Sequence, residues 1–360
     1  MRFRNSSPLS AGEFSIQLVP VGACSSRRMR RYLLHVFPAL LVLLAAIAAQ
    51  AQRYTKIVVF GDSLSDTGND AVLSFLQFGV PIPGPAADYT LGRFTDGPDT
   101  LPPAQNYFGV WVEQLAASLP AHPMVVASLE GGTNYAFGFA KTGSGTTLLT
   151  FEPGFSIEVE NLGQQIDDYL ATHPRIDDNT LFVVWAGAND VLEAGSAGDV
   201  VDGAWDEVQD IQRLISAGAT QFLVPNLPPL GLSPRFNASP AAAATANAAS
   251  ALYDTTLDTG VSLLPLLNFG RHLTINRLNT FALVKKIVAS PANFGLLNAT
   301  DSSQLMPVDP DTYLFWDDLH PTTHGHDIVA MNALELIEPR GCLVQTGPEQ
   351  YVGRMAPGCR

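Results

Sequence analysis

Charge is scarce in this chain, and so are thiols. Of its 360 residues 15% are charged and three are cysteines, whereas 46% are hydrophobic. A chain this apolar can bury a large core, and long disordered stretches are not expected away from its ends. Common binding patterns are missing too. There is no GxxxxGK[ST] or GxGxxG phosphate loop, no HExxH or HxxEH metal motif and no GxSxG nucleophile elbow. No internal repeat is evident. No linker-like shift in composition breaks residues 52–340, which read as one domain. Cations are in deficit: 20 Lys and Arg stand against 34 Asp and Glu, a formal charge of −14. Such a surface is poorly suited to nucleic acid or to anionic membranes.

The first 51 residues read as a targeting segment. Arg27, Arg28, Arg30 and Arg31 form a basic cluster, Leu33 to Ala49 is an almost uncharged apolar run, and Ala49-Gln50-Ala51 is a small-x-small cleavage pattern. These are the three parts of a secretory signal peptide. Pro38 and the shortness of the run favour cleavage over a permanent anchor. Met29 would give a more usual signal length than Met1. Cleavage removes six Arg and one Glu, which leaves 14 basic and 33 acidic residues and a formal charge of −19. The mature chain is expected outside the cell or in a periplasm, with no membrane span. Cys342 and Cys359 then remain, both in a Gly- and Pro-containing tail, residues 341–360. An oxidising compartment favours a disulfide between them over two free thiols. Asn237 and Asn298 head glycosylation sequons, which matter in a eukaryotic host.

Within the mature chain, short apolar runs alternate with helical patterns. Ile57–Phe60, Met124–Val126, Leu181–Trp185 and Phe222–Val224 read as strands. Trp111, Leu115 and Leu119 suggest a helix ended by Pro120. Val159, Leu162, Ile166, Tyr169 and Leu170 recur at helical spacing, as do Val201, Ala204, Trp205, Val208, Ile211 and Ile215 behind an Asp199 cap. Ser239-Pro240 starts an Ala-rich helix, and Ile328, Met331, Leu334 and Ile337 mark the last one. This alternation predicts a parallel, doubly wound α/β sheet.

Four polar stretches adjoin those strands. Gly61-Asp62-Ser63 stops the first strand abruptly, where open α/β sheets place ligands. Ser63 is there either a nucleophile or only a helix cap. Gly131 to Gly145, GGTNYAFGFAKTGSG, can bring backbone N–H groups close to a ligand or be a flexible turn. Asn189, past the third strand, offers a side-chain donor. Asp317 and His320 stand three apart before Pro321, which holds the histidine on a turn rather than in the helix. His320 is a credible general base near neutrality, and Asp317 can hold its ring. The long Pro- and Gly-rich stretch from Gly79 to Asn106 reads as a substrate loop. Its Phe78, Val80, Ile82, Tyr89, Leu91 and Phe94 would line an acyl pocket or pack the loop itself. A metal reading rests on His320, His324 and His326 with Asp317, Asp318 and Asp327, without a recognised spacing.

Taken together, FGDSLSDTGN, GGTNYAFGFA, GAND and DDLHP resemble the four blocks of the GDSL or SGNH family of serine ester hydrolases, over roughly Lys56 to Ala330. GRFTDGP, followed by Trp111-Val112-Glu113, is similar to the lipase-like branch. The resemblance implies a flavodoxin-like three-layer α/β/α sandwich with a central parallel sheet. It implies a catalytic set of Ser63, Asp317 and His320, and an oxyanion hole from the Ser63 N–H, a Gly138 N–H and the Asn189 side chain. The family commonly has two adjacent glycines where this chain has Gly138-Phe139, so the second donor is Gly138 or Phe139. No cofactor and no metal are implied. The expected substrates are short- to medium-chain acyl esters or lipids. A carbohydrate acetyl esterase and a non-catalytic exported binding module are the alternatives.

Overall fold

Ile57 to Phe60 has no polar residue to turn toward water, and the strand it forms is buried on both faces. The protein is described by a computed structural model over residues 54–96, 107–151 and 154–338. The expected signal segment, the Cys342–Cys359 pair and the end of the Gly79 to Asn106 stretch, residues 97–106, lie outside the described residues. In chain order the elements are β1 (Lys56–Gly61), α1 (Asn69–Phe78), α2 (Trp111–Ser118), β2 (Thr146–Phe151), β3 (Phe155–Glu160), α3 (Leu162–Thr172), β4 (Thr180–Trp185), α4 (Ala188–Glu193), α5 (Ala197–Ala217), β5 (Gln221–Pro225), α6 (Pro240–Leu267), β6 (Thr274–Leu278), α7 (Thr280–Ala289), β7 (Asn298–Ser302), β8 (Tyr313–Phe315) and α8 (Thr323–Ile337).

The central sheet runs β1-β4-β5-β6, all parallel. Its register puts Ile57 opposite Leu181 and Gly61 opposite Trp185. Alternate side chains divide between two cores, as the strand period requires. Ile57, Val59, Leu181, Val183 and Leu223 pack with α2, α7 and α8. Val58, Phe60, Phe182, Val184, Phe222 and Val224 pack with α3, α5 and α6. The result is a three-layer α/β/α sandwich, as the motif resemblance implies. Among the described residues no helix is long and apolar enough to cross a membrane.

Several local readings need correction. Met124–Val126 forms no strand. The edge beside β1 is taken by the glycine-rich segment: Val59 N–H donates to Thr133 O at 3.0 Å and Tyr135 N–H to Val59 O at 2.8 Å. Val159 is not helical. It lies in an antiparallel β2–β3 hairpin, where Phe155, Ile157 and Val159 alternate. The helical spacing to Leu162 is a coincidence of position. The cap of α5 is Ser196. Asp199 is the third helical residue, and its carboxylate accepts the Ser196 N–H at 2.8 Å, a reciprocal capping box. The buried stripe of α5 begins at Val200 rather than Val201, and Trp205 is 37% exposed.

Candidate active site

Every candidate side chain is set by the end of a buried strand. β1 ends at Gly61, which must be glycine: an added Cβ would lie 2.2 Å from the Trp185 carbonyl oxygen on β4. The Gln165 side chain holds this end, accepting the Gly61 N–H at 2.9 Å and donating to its carbonyl at 2.9 Å. The chain then turns. Asp62 is buried and accepts the Leu64 N–H at 3.0 Å. Burial pushes its carboxyl up to about 7, against that hydrogen bond and the nearby His320 charge. Ser63 sits on the turn at 8% exposure. It does not cap α1. That task falls to Asp66, whose carboxylate accepts the Gly68, Asn69 and Asp70 N–H groups at 2.8, 2.7 and 3.2 Å.

Asp317 and His320, the expected acid and base, come from the other end of the chain. β8 ends at Phe315, and Trp316 N–H donates to His320 O at 2.8 Å, closing a tight loop before α8. Asp317 Oδ1 accepts the Leu319 and His320 backbone N–H groups at 2.7 and 2.6 Å. Its Oδ2 faces His320 Nδ1 at 2.6 Å, and His320 Nε2 faces Ser63 Oγ at 2.8 Å. With a carboxylate on Nδ1, the neutral ring carries its proton there, so Nε2 is the acceptor for the Ser63 hydroxyl. Burial favours the neutral Asp317 acid, but the His320 charge and hydrogen bonds from His320 and Tyr89 hold the carboxyl well below its usual range. Burial lowers His320; the Asp317 and Asp62 charges outweigh it, and the ring titrates above its ordinary value.

Two neighbours escaped the motif reading. Tyr89 donates its hydroxyl to Asp317 Oδ2 at 2.7 Å, the same oxygen that meets His320. Phe94 lies against the His320 ring, centroids 5.1 Å apart. Both belong to the Gly79 to Asn106 stretch and were visible only as loop aromatics. A single phenol or phenyl carries no spacing signal that assigns it to a distant Asp–His pair.

The donor side is built from three separated segments. Asn189 lies in the first turn of α4, and its Nδ2 donates to Ala140 O at 2.9 Å, which leaves its second hydrogen unused by that bond. Asp190 accepts the Thr142 N–H at 3.1 Å and its hydroxyl at 2.8 Å. Asn69 Nδ2 donates to Asn134 O at 2.9 Å and Ala136 O at 2.8 Å. The glycine-rich segment is thus tied at both ends rather than flexible. Gly138 has no room for a side chain, since a Cβ would sit 2.4 Å from both Asp70 Oδ2 and the Phe94 ring. The buried Asp70 carboxyl lies beside it, and neither carboxyl oxygen has a hydrogen-bond partner of good geometry among the described residues. Burial and the Asp66 charge raise that carboxyl well above its usual range, and the Gly138 N–H pulls it back. Phe139 takes a left-handed φ of 63°, a conformation that bulky residues rarely adopt. The Ser63 and Phe139 N–H groups have no acceptor among the described residues.

The three clustered histidines do not converge. His324 stacks on Tyr107 at 4.4 Å and pairs with Asp311 O at 2.6 Å. His326 Nδ1 accepts the Trp111 N–H at 3.2 Å, and burial depresses its pKa to about 3. Among the described residues no His, Cys, Asp and Glu group is arranged to hold a metal ion.

Comparison with known proteins agrees with the motifs. The chain is 25% identical over 314 residues to the thermolabile hemolysin of Vibrio parahaemolyticus, covering 80% of this chain and 65% of that protein. It is 26% identical over 363 residues to the phosphatidylcholine-sterol acyltransferase of Aeromonas hydrophila, covering 83% and 95%. It is 29% identical over 336 residues to esterase EstA of Pseudomonas aeruginosa, covering 80% and 48%. The chain therefore spans only about two thirds of the hemolysin and half of the esterase. Residues 57–333 match the model of the GDSL-like lipase/acylhydrolase family, and the chain belongs to that family.

Proposed function

We propose that this chain is an exported carboxylic-ester hydrolase that works through a Ser63 acyl-enzyme on short- to medium-chain acyl esters or lipids. The observation that carries the reading is the unbroken relay from Ser63 Oγ to His320 Nε2 (2.8 Å) and from His320 Nδ1 to Asp317 Oδ2 (2.6 Å). As the Ser63 oxygen attacks the ester carbonyl, His320 Nε2 takes its proton. Asp317, held as a carboxylate, stabilises the imidazolium that forms. The proton then passes to the leaving alcohol. Water repeats the two steps on the acyl-enzyme and frees the acid.

The tetrahedral intermediates need donors aimed at the oxyanion. We assign these to the Ser63 N–H, the Asn189 side chain and the Gly138–Phe139 turn. Within that turn the donor is the Gly138 N–H or the Phe139 N–H, neither of which meets an acceptor among the described residues. Export rests on the basic cluster, apolar run and cleavage pattern of residues 1–51. The test is hydrolysis of p-nitrophenyl esters by the protein and by Ser63→Ala. Turnover that vanishes with Ser63 is expected; equal rates in both would sink the reading.

A transferase variant of the same chemistry has one specific support, the named activity of the Aeromonas relative. There an alcohol, not water, would take the acyl group from Ser63. Product analysis with added 1-butanol separates the two: butyl ester in place of acid marks transfer.

A further inference from the structure

Asn189 needs support from outside its own helix. Its carrier α4 is six residues long, and no side chain caps its start. A helix that short is not stable by itself. It begins after Gly187, at a left-handed φ of 100°. The glycine-rich segment supplies part of the support, through the Asn189 bond to Ala140 and the Asp190 bonds to Thr142. Two longer helices supply the rest. The phenol end of Tyr253, from α6, fills the space that a side chain at position 187 would take. An added Cβ there would lie 2.1 Å from Tyr253 Cζ and 2.3 Å from its oxygen. The Tyr253 hydroxyl donates to Glu207 Oε2, on α5, at 2.6 Å. About one turn earlier on α5, Gly203 packs on Asp190, where a Cβ would lie 3.0 Å from Oδ1. One hydrogen bond therefore joins α5 to α6 against the turn that carries Asn189.

Stability is a poor account of this bond. Tyr253 and Glu207 are both fully buried, and Glu207 Oε1 has no hydrogen-bond partner among the described residues. Burial pushes the Glu207 carboxyl up to about 8. The Asp190 and Asp254 charges add to the rise, against the Tyr253 hydrogen bond and the Arg277 charge. Near neutrality Glu207 is thus an uncharged acid with one oxygen unpaired. An apolar pair of the same shape would cost the core less. What the polar pair supplies is direction: a phenol tethered through its hydroxyl holds one place, and the Gly187 backbone packed on it is held with it. We propose, on the basis of the ester-hydrolase function above, that the Tyr253–Glu207 pair positions the Asn189 amide for the oxyanion. Neither residue lines the cavity beside Ser63, and both act through Gly187 and the first turn of α4. The oxyanion forms only as the ester is attacked, so a displaced amide lowers kcat and leaves KM nearly unchanged.

The experiment measures kcat and KM on p-nitrophenyl butyrate, with melting curves, for variants made both in the parent and in Asn189→Ala. Glu207→Leu combined with Tyr253→Phe replaces both partners by apolar groups, a change that is nearly neutral for folding. This double variant should melt close to the parent and lose about tenfold in kcat, a part of the 10²- to 10³-fold that one oxyanion donor supplies. In Asn189→Ala the same two substitutions should cost less than about twofold more, because the group they position is gone. Glu207→Leu alone removes the acceptor, whereas Glu207→Gln returns an uncharged one of the same shape. Glutamine should therefore recover most of the kcat that leucine loses. Should the double variant fail to fold, Tyr253→Phe, which removes one oxygen atom, reads the same loss against the same Asn189→Ala control. Parent kcat in the folded double variant would overturn the inference alone. So would a full tenfold loss in Asn189→Ala, which would make the pair a support of the whole fold, and so would a glutamine variant no better than leucine. Turnover that persists undiminished in Ser63→Ala would overturn the function reading and this inference with it.

Discussion

The two halves of the candidate site are assembled in opposite ways. Asp317 and His320 meet across three residues, and the loop that joins them is closed by its own backbone: Asp317 Oδ1 takes two N–H groups of the same turn. The donor half has no such local unit. Ser63, the Gly138–Phe139 turn and Asn189 come from three distant segments. They depend on Asn69, Asn134 and Asp190 to hold the segments together. A local unit survives changes elsewhere in the fold. A non-local one fails when any tie is cut. The comparison therefore predicts where substitutions act through chemistry and where they act through positioning.

The largest effect belongs to the local half. Asp317→Asn should lower kcat by about 10³- to 10⁴-fold with KM little changed, because the amide favours the wrong imidazole tautomer. A loss under tenfold would mean that Asp317 is not the orienting acid. On the donor half, Asn189→Ala should cost about 10²- to 10³-fold in kcat. It also cuts the tie to Ala140 O, so hydrogen exchange should rise in residues 138–142 while the Asp317 loop stays protected. Equal loosening of both would erase the distinction drawn here.

Smaller effects sharpen it. The base must be neutral to act, and His320 titrates above its ordinary 6.5, so the acid limb of kcat/KM should have its midpoint above pH 6.5 and activity should fall below it. A midpoint near pH 5 would contradict the His320–Asp317 pairing. Tyr89→Phe should give the mildest change, about tenfold or less in kcat. It frees Asp317 Oδ2 for His320 alone, so the acid limb should move to higher pH. A pH profile identical to the parent's would make Tyr89 a packing residue only.

Legibility followed the same division. β1 and β4 could be read as strands because burial on both faces makes them continuous apolar runs. The Asp317–His320 spacing was legible because three residues fit one turn. Segments that share burial with water were not legible. β6 is half-exposed along most of its length and reads TINRL, with no clean alternation. The β2–β3 hairpin showed only Val159, which coincides with a helical repeat. Tyr89 reaches Asp317 across 228 positions, a contact that no local pattern encodes. The left-handed φ of Phe139 is set by the packing of its ring on Phe94 and Phe151 and by the ties on either side of it, not by its own preference.

The most direct test of the account is covalent. The protein is incubated with an activated alkyl phosphonate ester, digested and mapped by mass spectrometry, beside Asp317→Asn and Ser63→Ala. One adduct is expected, on the peptide carrying Ser63, formed fast in the parent, far more slowly in Asp317→Asn and not at all in Ser63→Ala. An adduct on another residue, or labelling of Ser63 that proceeds equally fast without Asp317, would contradict the relay on which the function is built.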